Sequence, residues 1–272
     1  MDRYYVLGNP VEHSRSPYIH RFFADALHQK LSYEARLVPL DAFEQTVEGL
    51  KKEHFSGCNI TVPFKEQAYR IADDLTARAE FAGAVNTLKY ENGRLLGDNT
   101  DGEGLVTDLM QCGVALAGAR ILVLGAGGAA RGILAPLLER NPSELVIANR
   151  TVQKAEVLAE HVKSIAGCSV RGTGYDQLKG HFDLVINATS SSISNNIPPL
   201  PADTIDSSTR AYDLMYSPVD TVFVTYAKSK GAEAWDGLGM LVCQAAESFF
   251  LWRGVRPETE ELIRKLRSDM KK

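Results

Sequence analysis

Apolar positions fall into two textures along this chain. In the first part, short apolar runs alternate with stretches of helical period. Tyr4–Leu7 reads as a strand and Gly8-Asn9-Pro10 as the turn that ends it. Ser16-Pro17 offers a hydroxyl N-cap followed by proline at the first helical position. Beyond it Tyr18, Phe22 and Ala26, with Ile19 and Phe23 beside them, recur at helical spacing. The run Gly57–Val62 is strand-like and precedes Pro63, and a helical segment starts near Lys65. Near residue 118 the pattern changes. Arg120–Leu124, Glu144–Ala148 and Phe182–Asn187 are continuous apolar runs of the kind that forms strands buried on both faces. Helical patterns separate them, as in a doubly wound parallel sheet. From about Leu238 the chain reads as helix to its end. A strand-free tail cannot extend the sheet, so it is expected to fold back on the first domain.

The predicted fold class is therefore α/β with two domains: a Rossmann-like doubly wound parallel sheet, and an α/β domain completed by the C-terminal helices. The expected boundaries are 1–101 plus 238–272 for the latter and 102–237 for the former. A length of 272 residues suits two domains, and 44% hydrophobic residues are ample for buried cores. A net charge of −4 argues against a nucleic acid or an anionic membrane as the main partner. The cysteines Cys58, Cys112, Cys168 and Cys243 are widely spaced, with no Cys-x-x-Cys pair and no zinc-like Cys/His spacing, so no metal site is expected. Four free thiols, no apolar signal-peptide core at the N-terminus and no membrane-length apolar run point to the cytoplasm. A monomer or homodimer is expected there.

Strand 120–124 runs straight into Gly125-Ala126-Gly127-Gly128-Ala129-Ala130-Arg131. This fits the Gly-x-Gly-x-x-Gly/Ala fingerprint, with Ala130 at the helix–strand contact. The glycines permit a tight turn and let backbone N–H groups approach a pyrophosphate at a helix N-terminus. An ordinary tight strand–helix turn would look similar, but the strand before and the helix after are the context a dinucleotide site needs. An NAD site places Asp or Glu at the end of the second strand. This chain has Asn149-Arg150-Thr151 instead, with Lys154 one turn later. Arg150 and Lys154 can neutralise a 2′-phosphate and Thr151 can donate to it, so the position favours NADP. The alternative is a helix cap at Thr151 beside two solvated cations.

Elsewhere the polar residues are scattered, and each has an ordinary structural role when taken singly. Ser16 can be an N-cap, Asn59 and Thr61 the solvent face of a strand, Asp101 a cap and Lys65 an exposed helix residue. Together with their neighbours they form motifs. These are Gly8-Asn9-Pro10-Val11-Glu12-His13-Ser14-Arg15-Ser16-Pro17, Asn59-Ile60-Thr61-Val62-Pro63-Phe64-Lys65, Gly83-Ala84-Val85-Asn86-Thr87 and Gly97-Asp98-Asn99-Thr100-Asp101-Gly102. Asn187-Ala188-Thr189-Ser190 and Asp236-Gly237-Leu238-Gly239-Met240-Leu241 follow the nucleotide loop. In this order, over nearly the whole chain, they resemble the shikimate dehydrogenase family.

The resemblance implies reversible NADPH-linked reduction of 3-dehydroshikimate to shikimate, a step of chorismate and aromatic amino-acid biosynthesis. It gives Ser14 and Ser16 to the substrate carboxylate, and Asn59, Thr61, Asn86, Asp101, Tyr216 and Gln244 to the ring hydroxyls or their pocket. Lys65 becomes the acid/base residue with Asp101 as its partner, and Leu214 and Gly237 line the nicotinamide pocket. Hydroxyls before a helix N-terminus suit a carboxylate, and Asn59 and Thr61 share one face of a strand. The chain departs from the family pattern at Ser192, where a glycine is expected, at Lys154 for arginine and at Leu214 for methionine. Two alternatives stay open: a dual shikimate/quinate dehydrogenase and a non-catalytic NADPH-sensing module.

Overall fold

A computed structural model describes residues 1–271, with Ile193 described by its backbone alone. The chain forms two compact units, Met1–Gly104 with Val242–Arg264, and Leu105–Leu241 with the residues from Lys265.

In the first unit β1 (Asp2–Gly8) leads to α1 (Ser16–Ala26), β2 (Leu31–Leu37), α2 (Phe43–Lys52) and β3 (Gly57–Ile60). Then come α3 (Lys65–Ile71), β4 (Asp74–Leu75), α4 (Ala77–Ala82), β5 (Thr87–Glu91) and β6 (Arg94–Asp98). The sheet order is β2-β1-β3-β5-β6-β4, with β1 parallel to β2 and β3, and β5 antiparallel to β3 and β6. The β5–β6 hairpin turns on Asn92-Gly93, both at positive φ (53° and 79°), a conformation that matches the twist of a tight hairpin. Leu7, Phe55, Cys58, Ile60, Phe64 and Leu88 are buried together in its core.

The chain continues through α5 (Asp101–Gln111), β7 (Arg120–Leu124), α6 (Gly128–Leu138), β8 (Glu144–Ala148), α7 (Val152–Lys163), β9 (Ser169–Thr173) and β10 (Leu184–Asn187). Next are β11 (Arg210–Asp213), α8 (Val222–Ser229), β12 (Glu233–Asp236), α9 (Leu238–Arg253) and α10 (Glu260–Met270). The second sheet is wholly parallel in the order β12-β11-β10-β7-β8-β9. Counted from β7, this is the 3-2-1-4-5-6 order of a dinucleotide-binding fold, with its reversal between β7 and β10. The continuous burial of Ile121–Leu124, Leu145–Ala148 and Leu184–Ile186 follows from helices covering both faces of such a sheet. The expected doubly wound α/β architecture is present.

Several local expectations need correction. Helix α1 starts at Ser16, with Arg15 at the N-cap, because the chain already turns at Val11–Ser14, where the Ser14 N–H donates to the Val11 carbonyl at 3.0 Å. Its buried face is Ile19, His20, Phe23 and Ala24, leaving Tyr18 exposed. Strand β3 stops at Ile60, since a turn follows in which Phe64 N–H donates to the Thr61 carbonyl at 3.1 Å. The C-terminal helices are two, α9 and α10, with α9 ending just before Gly254, which has φ of +71°. Among the described residues, no helix is long and apolar enough to cross a membrane.

Candidate active site

The nucleotide loop lies where β7 ends. Gly125 has φ of +107°, and a Cβ there would come within 3.1 Å of the Ala188 carbonyl oxygen that follows β10, so this turn requires glycine. Gly127 and Gly128 are different. They are exposed, and a Cβ on either would meet nothing within 4 Å. Internal packing does not require glycine at either position, and without a Cβ the backbone there is open to close approach of a phosphate group. Gly127 caps α6 without a side-chain hydrogen bond, so the first-turn N–H groups point outward unspent. Ala126 is half-buried, Ala129 is exposed, and Ala130 is fully buried at the helix–sheet contact.

At the end of β8 the half-buried Asn149 donates from Nδ2 to the Thr151 carbonyl at 2.9 Å, which shapes the turn. Arg150, Thr151 and Lys154 are exposed on this turn and the first turn of α7. Thr151 is the N-cap of α7 by backbone geometry, yet its hydroxyl makes no cap hydrogen bond and is available to a ligand. The residues therefore fit a dinucleotide with a phosphate on its ribose. Gly237 follows β12, and a Cβ there would strike the Leu214 carbonyl oxygen at 2.2 Å, so the two residues form one tight backbone contact. Tyr216 is half-buried in the same loop after β11.

Ser192 accounts for its own departure from the family glycine. Its hydroxyl donates to Asp213 Oδ2 at 2.6 Å and accepts from Asn187 Nδ2 at 3.3 Å. Burial is the main influence on Asp213 and pushes its pKa up, while bonds from Ser192, Thr221, Met215 and Asn187 oppose it.

The first unit gathers Ser14, Ser16, Asn59, Thr61, Lys65, Asn86, Asp101 and Gln244. Ser14 Oγ accepts from the Ser16 N–H at 3.3 Å, which orders the first turn of α1. Lys65 opens α3 and Asp101 opens α5, and Lys65 Nζ donates to Asp101 Oδ2 at 2.5 Å. Asp101 sits at the end of a pinned segment. Fully buried Asp98 accepts from Arg78 at 2.7 and 2.5 Å, from Thr76 at 2.6 Å and from the Asn99 N–H at 2.7 Å. Asn86 Nδ2 donates to Asp101 Oδ1 at 2.7 Å and lies 3.5 Å from Gln244 Oε1. Thr61 stands one residue past β3, its N–H on the Leu7 carbonyl and its methyl against Gly8. Asn59 is buried instead of solvent-facing: its Oδ1 accepts from the Tyr33 hydroxyl at 2.7 Å.

Four buried hydroxyls that no candidate role in the sequence covers lie behind these residues: Tyr33, Thr87, Thr100 and Ser248. Thr87 and Thr100 lie inside the motifs that carry Asn86 and Asp101. Ser248 stands four residues after Gln244 on α9, one turn along the same face, and that spacing was its only signal. Tyr33 hydrogen-bonds Ser16 as well as Asn59, and it stacks on His20 with centroids 4.1 Å apart. Burial pulls the His20 imidazole down to about 3, so it stays neutral.

A glycine-rich loop at the reversal of a 3-2-1-4-5-6 parallel sheet defines a dinucleotide-binding α/β protein, here joined to a unit that carries a paired lysine and carboxylate. Comparison with known proteins narrows the class. Residues 6–88 match the shikimate dehydrogenase substrate binding domain, 108–196 match shikimate / quinate 5-dehydrogenase, and 237–267 match the shikimate 5'-dehydrogenase C-terminal domain. A shikimate dehydrogenase (NADP(+)) of Aeromonas salmonicida is 53% identical, covering 99% of this chain and 99% of the relative. The Ael1 enzyme from Pseudomonas putida has a crystal structure that superposes with a TM-score of 0.93, at 46% identity and 98% coverage of both chains. Shikimate 5-dehydrogenase from Thermus thermophilus, solved with NADP(H) and shikimate, has a TM-score of 0.86 at 37% identity, covering 97% of this chain and 99% of its own. The chain belongs to the shikimate dehydrogenase family.

Proposed function

We propose that this chain is an enzyme of the cytoplasm that interconverts shikimate and 3-dehydroshikimate with NADP, in the pathway to chorismate and the aromatic amino acids. The observation that carries the reading is the Lys65–Asp101 pair at 2.5 Å, hydrogen-bonded through Asn86, Thr87 and Asn59 back to Tyr33. The first unit serves as the substrate-binding unit and the second as the NADP-binding unit. Ser14 and Ser16 take the substrate carboxylate, while Asn59, Thr61, Asn86, Asp101 and Gln244 supply donors and acceptors for the ring hydroxyls. When bound, the dinucleotide accepts the hydride in the oxidative direction and supplies it in the reductive one. Lys65 handles the proton at the reacting oxygen, as an amine that accepts it during oxidation and an ammonium that returns it during reduction. Asp101 fixes the direction of that amine. In the second unit Gly125, Ala126, Gly127, Gly128 and Ala129 take the pyrophosphate, and Leu214 and Gly237 face the nicotinamide. Asn149 shapes the turn on which Arg150, Thr151 and Lys154 hold the 2′-phosphate.

The test is absorbance at the nicotinamide band with purified protein, shikimate and NADP, repeated with quinate and with NAD. Shikimate with NADP should give the highest specificity constant. No turnover of shikimate with either dinucleotide would overturn the reading.

A further inference from the structure

The buried hydrogen bonds behind Lys65 and Asp101 have directions that follow from fixed donors and acceptors. A backbone N–H only donates, so the Asn86 atom 2.9 Å from the Thr100 N–H is Oδ1. Asn86 therefore turns Nδ2 toward Asp101 Oδ1, at 2.7 Å. Thr87 Oγ1 lies 2.8 Å from Asn86 Oδ1 and must donate to it. With its one proton committed, Thr87 accepts from Asn59 Nδ2 at 3.0 Å, and at the 2.8 Å contact with Ser248 Oγ it can only be the acceptor. The Asn59 amide is fixed in turn, because its Nδ2 faces the Asn86 carbonyl at 3.3 Å and its Oδ1 accepts from Tyr33. Donors thus run from Tyr33 to Asn59, from Asn59 to Thr87, from Thr87 to Asn86 and from Asn86 to the Asp101 carboxylate, while Ser248 Oγ accepts from Asn59 Nδ2 at 2.9 Å and its one proton is shared between Thr87 and the Gln244 carbonyl at 3.1 Å.

We propose that Thr87 and Ser248 are positioning residues for proton transfer, and this rests on the function proposed above. Thr87 directly, and Ser248 through Thr87, add to the Thr100 N–H in holding the Asn86 amide with its NH2 on Asp101. The carboxylate is then clamped on both oxygens, by Asn86 at Oδ1 and by Lys65 at Oδ2. A reversed Asn86 amide would set its carbonyl oxygen against the carboxylate, two acceptors facing each other, and would release Asp101 and with it the aim of Lys65. Donors in sequence also polarise one another, so the last bond, onto Asp101, gains from those behind it. Thr87 and Ser248 are both fully buried and form these bonds without reaching the Lys65 amine themselves.

The experiment compares Thr87→Val, Thr87→Ser and Ser248→Ala in the full chain, with kcat and KM for shikimate and the pH–rate profile as readouts. Valine keeps the shape and removes the donor, so kcat should fall about tenfold, the size expected from losing a hydrogen bond in a charged network. KM should change much less, and the pH–rate profile should move. Thr87→Ser restores the hydroxyl and should restore kcat and the profile. Ser248→Ala leaves the Thr87–Asn86 bond in place and should give a smaller fall with the same displaced profile. A folded Thr87→Val with wild-type kcat and profile overturns the proposal, as does an equal loss in the serine variant. If the valine variant does not fold, an unchanged kcat and profile in Ser248→Ala overturns it. An inert wild type removes the functional reading and this proposal together, whereas an active wild type with unaffected variants removes this proposal alone.

Discussion

Lys65 and Asp101 lie 36 residues apart in sequence, each on the first residue of its helix, and their side chains meet at 2.5 Å. The second oxygen of the carboxylate is taken by Asn86 at 2.7 Å. Two donors on two oxygens leave Asp101 little rotational freedom, which is what an aiming group for an amine requires.

Asp101→Asn should therefore impair turnover in a recognisable way. One of the two side-chain oxygens becomes an NH2, which only donates, so either the Lys65 or the Asn86 bond is lost. A lower kcat with an altered pH–rate profile is expected from steady-state kinetics across pH. Unchanged kcat and profile would show that the pair does not cooperate in proton transfer.

If Arg150, Thr151 and Lys154 hold the 2′-phosphate as proposed, the choice of dinucleotide rests on the end of β8. Replacing Arg150 with Asp removes one charge-assisted bond to the 2′-phosphate and adds repulsion, so NADP binding should weaken by roughly 2–5 kcal/mol. Titration of NADP and NAD into both proteins measures this. Similar affinities for NADP before and after the change would contradict the assignment, as would equal specificity constants for NADP and NAD in the wild type.

A buried carboxyl makes stability depend on pH. Burial pushes Asp108 up to about 6, with the Tyr212 hydrogen bond at 2.6 Å opposing the rise and the charge of Asp236 adding to it. The folded protein thus holds this proton to higher pH than the unfolded chain does. Folding takes up a proton between about pH 4 and 6, and stability falls as pH rises through that window. Over a shift of roughly two units the fall is about 3 kcal/mol. Asp108→Asn should remove this component, which urea unfolding of both proteins at several pH values would show. A wild-type-minus-variant difference that stays flat from pH 4 to 7 would contradict it.

Much of the second unit was legible because strands buried on both faces read as unbroken apolar runs, as at Arg120–Leu124 and Glu144–Ala148. Strands β9, β11 and β12 escaped. Ser169–Thr173 carries three polar side chains and a glycine, while Arg210–Asp213 and Glu233–Asp236 each begin and end on a charge. The β5–β6 hairpin carries a turn signal in Asn92-Gly93, but Leu95-Leu96 breaks the alternation that would mark β6 as a strand. Lys65 and Asp101 were found through motifs, since nothing in their local spacing brings residues 36 apart together. Ser248 carries no motif beyond its four-residue spacing from Gln244, and its fit against Thr87 and Asn59 reveals its place.

The proposed proton transfer by Lys65 in shikimate oxidation is tested by shikimate-dependent NADP reduction with wild type and Lys65→Ala. Loss of a positioned acid/base group should lower kcat by roughly 10²–10⁴ while changing KM much less. A folded Lys65→Ala protein with near-normal kcat would contradict the account.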